Sequence, residues 1–217
     1  MSRVGAVVAL MVLPGTLGCS RSPDPCDGPQ AVATAAPSTA LAISLFATAN
    51  PRERTPVTLD CVVVTIFDAA DYLDTLLAAP VRVTHGRILV ADLPATRTDV
   101  IIERAGFFPV KVVDVEIGSA PNELPDRLTM YPSDAPVVLP GQLYVELKPG
   151  ATREQLDELV ESYDGTTIHA EPGSYRIELA GRGRRDSIRR SELLCRDLLF
   201  SPIVRGAGPM AGYGSVY

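Results

Sequence analysis

Pro140-Gly-Gln-Leu-Tyr-Val-Glu-Leu-Lys-Pro-Gly-Ala-Thr-Arg-Glu-Gln-Leu156 reads as a strand followed by a helix. Gln142 to Leu147 alternates, with Leu143, Val145 and Leu147 on one face and Tyr144 and Glu146 on the other. Pro149-Gly150 ends the strand. Thr152 with Gln155 three residues on forms a capping box, so a helix begins there. Leu156, Leu159, Val160 and Tyr163 then fall on one helical face. Gly165 is expected to stop the helix by taking a left-handed backbone.

The scheme repeats downstream. Thr166 to Ala170 is a short strand and Glu171-Pro172-Gly173 a turn. Ser174 to Leu179 alternates with Tyr175, Ile177 and Leu179 inward. Asp186 is expected to cap a second helix carrying Ile188, Cys195 and Leu198 or Leu199. Pro202 ends that helix, and Ile203 to Ala207 is a last strand. The order is β-α-β-β-α-β, the split βαβ or ferredoxin-like arrangement.

The stretch PGQLYVELKPGATREQLDELVESYDGTTIHAEPGSYRIEL, followed by LLFSPIVRGAGP, resembles the N-terminal pro-domains of subtilisin-like serine proteases, the fervidolysin-type and inhibitor-like group. The resemblance covers residues 140 to 210. It implies that the sheet face opposite the helices packs on surface helices of a protease, while the C-terminal tail lies along the active-site cleft like a cleaved product. The contact candidates are then Tyr144, Glu146, Arg176 and Glu178 on the sheet. Glu171 in the turn would approach helix N-termini, where a carboxylate is favoured. Met210, Tyr213 and Tyr217 lie on the tail, expected to be free from Gly208 onward. No protease sequence lies within the chain, so the resemblance implies binding in trans.

The 217 residues suffice for one large or two small domains after removal of a leader. Apolar content of 46% with 21% charged residues suits folded domains rather than disorder. A net charge of −6 argues against a general nucleic-acid binder, which needs a basic surface.

Arg3 and the apolar run from Val4 to Leu17 have the layout of a secretory signal. Thr16-Leu17-Gly18-Cys19 resembles a bacterial lipobox, in which the cysteine is lipidated and becomes the mature N-terminus; the bland alternative is an ordinary signal peptide with a chance cysteine. Residues 1–18 are thus expected to be a signal peptide, and residues 19–39 a lipidated N-terminus and flexible tether. The resemblance implies export and anchoring in the bacterial cell envelope, periplasmic or surface. Of the four cysteines, Cys26 and Cys61 are the best disulfide pair, because their bond would tie the tether to the first domain. Cys195 lies on an apolar helical stripe and reads as a buried small hydrophobe.

Residues 40–133 are expected to be an all-β domain, with strands near Leu41 to Leu45, Val57 to Phe67, Val81 to Val83, Arg87 to Leu93, Asp99 to Arg104 and Phe108 to Ile117. Asp68 to Ala79 is ambiguous, since Tyr72, Leu73, Leu76 and Leu77 have helical spacing but the stretch also reads as an irregular excursion. The segment HGRILVADLPATRTDVIIERAGFFPVKVVDVEI, with Gly86, Leu93-Pro94 and Gly106-Phe107, resembles carboxypeptidase-regulatory or prealbumin-like β-sandwiches. That resemblance implies a spacer or binding module and is nearly silent on activity. The proline-rich run from Gly118 to Leu139 marks the domain break, with the linker at 134–141 and the ferredoxin-like domain at 142–217.

Catalytic constellations do not emerge. His85 reads as a turn residue and His169 as a strand residue, and no Gly-x-Ser-x-Gly occurs. No Cys-x-x-Cys or His-x-x-x-His suggests a metal site. Asp68, Asp71 and Asp74 lack the glycine and distal glutamate of an EF-hand and read as solvated acids. Arg182, Arg184, Arg185, Arg189, Arg190 and Arg196 oppose Asp186, Glu192 and Asp197; a solvated helix face is the plain reading, an acidic partner or anionic lipid the other. No catalytic residue, cofactor, metal or small-molecule substrate is expected. The expected function is a non-enzymatic lipoprotein that binds a subtilisin-like protease in trans, as inhibitor or folding helper. The alternative is a structural, adhesive or spacer lipoprotein with no protease partner.

Overall fold

The computed structural model describes residues 26, 40–50, 57–72, 74–91, 93–94, 96–117, 122–124, 128–181, 183–212 and 214–215. Strands dominate it. In the N-terminal half these are β1 (Ala40–Ala47), β2 (Cys61–Asp68), β3 (Thr75–Arg82), β4 (Arg87–Ala91), β5 (Arg97–Glu103), β6 (Val110–Glu116), β7 (Asn122–Glu123) and β8 (Leu128–Met130). One antiparallel sheet has the order β3-β2-β5-β6. In the other, β1 pairs antiparallel with β4 and parallel with both β7 and β8. Leu41, Ile43 and Leu45 of β1 share one apolar cluster with Val62, Val64 and Ile66 of β2 and Val100 and Ile102 of β5.

The other face of β2 and β5 is covered as well. Phe67 and Ile101 belong to a second apolar cluster, built mainly by the C-terminal half. Burial on both faces explains why Cys61 to Phe67 is nearly continuous in apolar character instead of alternating.

The C-terminal half runs β9 (Val138–Leu147), α1 (Arg153–Glu161), β10 (Gly165–Glu171), β11 (Ser174–Leu179), α2 (Arg184–Phe200), β12 (Val204–Ala211) and β13 (Gly214–Ser215). Its antiparallel sheet has the order β10-β11-β9-β12-β13. Leu143, Val145 and Leu147 bury one face of β9 against Leu156 and Val160 of α1 and against Leu194, Cys195, Leu198 and Leu199 of α2. The Thr152–Gln155 capping box is formed: the Gln155 amide donates to Thr152 Oγ1 and the Thr152 amide to Gln155 Oε1.

Several expectations need correction. The left-handed residue after α1 is Asp164, with φ of 49°. Gly165 is instead a packing requirement, because a Cβ there would lie 2.5 Å from Val160 Cγ1. Asp186 does not cap α2. The helix starts at Arg184 behind Gly183, and Asp186 lies in the first turn, where its carboxylate suits the helix dipole. The earlier start puts Ser187 and Ser191 on the buried face with Leu194, Cys195 and Leu198. Those small serines let α2 approach β9 so closely that the Gly141 amide donates to Ser191 Oγ at 3.1 Å.

Asp68 to Ala79 contains no helix among its described residues. A turn, closed by the Asp74 amide on Asp71 O, leads into β3. Pro80 would break a helix there, and β2 offers its backbone edge to β3 instead. The expected linker at 134–141 is folded: Ala135 and Val138 are buried, and β9 already begins at Val138. The tail is not free from Gly208, since Gly208, Pro209 and Ala211 pair with β9.

Cys26 and Cys61 are joined by a disulfide, which fixes a point of the expected tether to the start of β2. Cys195 is a buried free thiol whose pKa burial pushes up.

Replacing Gly165 by alanine is expected to lower stability by about 1–3 kcal/mol, because Val160 or the backbone must shift. Asp164→Asn, which also tolerates left-handed backbone, should stay within about 0.5 kcal/mol. Urea unfolding of both variants checks the assignment; equal losses would contradict it.

Candidate functional site

Alternation along β9 and β11 turns Tyr144, Glu146, Arg176 and Glu178 away from the helices. Tyr144 lies opposite Arg176 on one side and Gly208 on the other, and Glu146 opposite Ser174 and Gly206. Four sequence-expected contact residues therefore share one open sheet face. They are also engaged with one another and with neighbours. Tyr144 donates its hydroxyl to Ser174. Arg176 pairs with Glu178 at 3.1 Å, and Arg205 reaches across from β12 to Glu146 at 3.1 Å. Half-exposed pairs of this kind contribute little stability, so they remain exchangeable with a partner's charges.

The other candidates lie elsewhere. Glu171 is exposed at the end of β10, opposite Ser174 in the turn to β11. Met210 is a half-buried strand residue facing Ser215 of β13, not part of a loose tail. Cys19, Tyr213 and Tyr217 lie outside the described residues. His85 occupies a two-residue turn in which both His85 and Gly86 have positive φ. Asp68 accepts the Ala70 amide in a local turn. Among the described residues, no three His, Cys, Asp or Glu side chains converge on a common point.

Beside the open face is a groove of about 320 Å³. Val110 and Lys111 of β6, and Leu128 and Thr129 of β8, approach β12 along Gly206 to Pro209. Phe108, Tyr131 and Tyr144 supply aromatic surface. The two glycines supply no side chain and so widen it. Its size is at the small end of ligand-binding clefts.

Behind the groove is a cluster of charges that the sequence reading does not contain. Asp99 of β5 and Lys111 of β6 both have fully buried side chains. Asp99 accepts from Lys148 Nζ at 2.7 Å, from the Asp114 amide at 3.0 Å and from the Tyr72 hydroxyl. Lys111 Nζ lies 3.7 Å from the same carboxylate and donates to the carbonyls of Val204 (2.8 Å) and Ser201 (3.3 Å). Tyr72 stacks on Phe67, and both ammonium groups sit 4.8 Å from its ring centre. The available signals were Asp99 heading the apolar run Val100-Ile-Ile and Lys111 within Val110-Lys-Val-Val. Each is a charge within a largely apolar strand segment.

Burial works against the charge on Asp99. Hydrogen bonds from Lys148, Tyr72 and the Asp114 amide, with the charge of Lys111, outweigh it and hold the carboxyl below its ordinary value. Burial pushes Lys111 down to about 8, assisted by the charge of Lys148 and opposed by Asp99. Burial and the hydrogen bond to Asp99 push the Tyr72 phenol up. These contacts cross between the two halves, with Asp99 and Lys111 from the N-terminal half and Lys148, Ser201 and Val204 from the C-terminal half.

The chain matches no protein-family model and no curated protein.

The signs of these shifts give a pH signature. Asp99 contributes stability above the ordinary carboxyl range that is lost as pH falls through its depressed value. Between about 8 and 10.5 the unfolded state binds more protons at Lys111, so its term makes stability rise with pH. Above pH 10 the raised Tyr72 acts oppositely. Asp99→Asn is expected to cost about 3–5 kcal/mol by leaving buried cations unpaired. In Lys111→Met the rise from pH 8 to pH 10 should vanish. Urea midpoints across pH check both.

Proposed function

We propose that this chain is a non-enzymatic exported lipoprotein, anchored through Cys19 in the bacterial cell envelope, that binds a subtilisin-like serine protease in trans. The carrying observation is the C-terminal connectivity. β9-α1-β10-β11-α2-β12 with sheet order β10-β11-β9-β12 fits the ferredoxin-like arrangement of the resembled pro-domains. It leaves an open face bearing Tyr144, Glu146, Arg176 and Glu178 on the side those pro-domains use. The two sheets of the N-terminal half, sharing one apolar cluster, support a prealbumin-like sandwich as the module that displays this face.

The pairing of Gly208 to Ala211 with β9 bears on the mode of binding. A segment held in the sheet is not available to lie in an active-site cleft, so docking through the face is favoured over blockade by the tail. The same observation favours the second reading, a structural or interaction module of the envelope whose partner is not a protease.

The test uses the full chain, because Phe67, Ile101 and Phe108 of the N-terminal half complete the C-terminal core. A Cys19→Ser form expressed without residues 1–18 should bind at least one of a panel of subtilisin-like proteases at micromolar concentration. Tyr144→Ala with Arg176→Ala should weaken that complex by about tenfold or more. Absence of binding across the panel, with a non-protease recovered by co-purification from the envelope, would establish the second reading instead. Detergent phase partitioning checks the anchor: the complete chain should enter the detergent phase and its Cys19→Ser variant the aqueous phase.

A further inference from the structure

The helix layer carries opposite charges at its two ends. α1 has four acids and one arginine, and α2 has five arginines and three acids. α1 leads from β9 to β10, which run the same way, and α2 from β11 to β12, which run the other, so the helices are antiparallel. The C-terminal end of α1 meets the middle of α2: Tyr163 donates its hydroxyl to Asp197, and Arg190 donates to the Tyr163 carbonyl. The first turns of the two helices therefore lie toward opposite ends of the layer. Leu156 and Val160 of α1 are buried, which turns Glu154, Glu158 and Glu161 outward. Ser187, Ser191 and Leu194 of α2 are buried, which turns Arg185, Arg189 and Leu193 outward. These five charged side chains are exposed and, among the described residues, form no ion pair, whereas Arg153 and Arg196 on the same helices do. Leu193, lying between the two charged ends, is 43% exposed.

We propose that the outer face of the helix layer is a self-association surface and that its occupant is a second copy of this chain. The charge pattern selects that occupant. An anionic lipid surface would attract Arg185 and Arg189 but repel Glu154, Glu158 and Glu161, and a purely basic partner would do the reverse. A matching surface needs both signs in exchanged order. A two-fold axis lying in the interface and passing near Leu193 supplies it from the same sequence, because it carries the basic end of one layer over the acidic end of the other. Arg185 and Arg189 of each copy then face Glu154 and Glu158 of the other copy, and the two Leu193 side chains meet near the axis. Arg185, in the first turn of α2, works against the helix dipole, so its charge does not serve the helix that holds it. The contact is small and charged, so it is weak and salt-sensitive. It leaves free the sheet face that bears Tyr144 and does not depend on the protease reading.

The experiment is sedimentation velocity over a concentration series, on the Cys19→Ser form without residues 1–18. A dimer is expected at low salt, dissociating as salt rises from about 0.05 M to about 0.5 M. Arg185→Glu with Arg189→Glu should weaken it by about tenfold or more, and so should Glu154→Arg with Glu158→Arg. All four positions are exposed, so the circular dichroism should stay that of the parent. An equimolar mixture of the two reversed forms should restore the dimer, because every contact again joins opposite charges. A monomer at every concentration at low salt overturns the proposal, as does a dimer that survives both reversals. A monomer that binds phosphatidylserine vesicles, and loses that binding when the two arginines are reversed, overturns it in favour of a lipid surface.

Discussion

The carboxylate of Asp99 is the point on which both halves depend. It comes from β5, in the middle of the N-terminal half, yet its shortest ammonium contact is Lys148, the residue that follows β9. Lys111 returns the link by donating to carbonyls at the turn from α2 to β12. A buried anion between two cations is tolerable only when every partner is in place, because each group alone carries a large desolvation cost. The apolar surroundings follow the same plan: Phe67 stacks on Tyr72 and meets Phe200 edge-on. The C-terminal core includes Phe67, Ile101 and Phe108 of the N-terminal half, so the C-terminal half is not an independent bead on a linker.

That dependence marks the limit of what sequence periodicity reveals. β9, α1, β10 and β11 were legible because their signals are local: alternation, a capping box, and glycine or proline at turns. The role of Gly165 was not, since a left-handed backbone and a close contact with Val160 select the same residue. Asp186 looked like a cap, but the serine face of α2 against Gly141 set the helix start. Leu76 and Leu77 had helical spacing, yet the long edge of β2 took the segment as a strand.

The candidate site was legible to the same extent. Tyr144, Glu146, Arg176 and Glu178 share a face because strand alternation alone dictates it. The groove was invisible, as it exists only where β6 and β8 approach β12. Asp99 and Lys111 gave a faint signal, a charge within an apolar strand, which is ambiguous between an edge facing water and a seam. Only the second half of the chain decides between them, by supplying Lys148 and two carbonyls.

On the proposed reading that Cys19 carries a lipid, the disulfide would constrain geometry at the membrane. With a lipid on Cys19, the bond from Cys26 to Cys61 shortens the leash from the expected 19–39 segment to seven residue steps. Seven residues span at most about 25 Å. The load path would then run from the acyl chains through the disulfide into β2. The protein would ride low and keep the end of its sheet near Cys61 and Arg82 turned toward the bilayer, a constraint on orientation that a free tether of the full length would not impose.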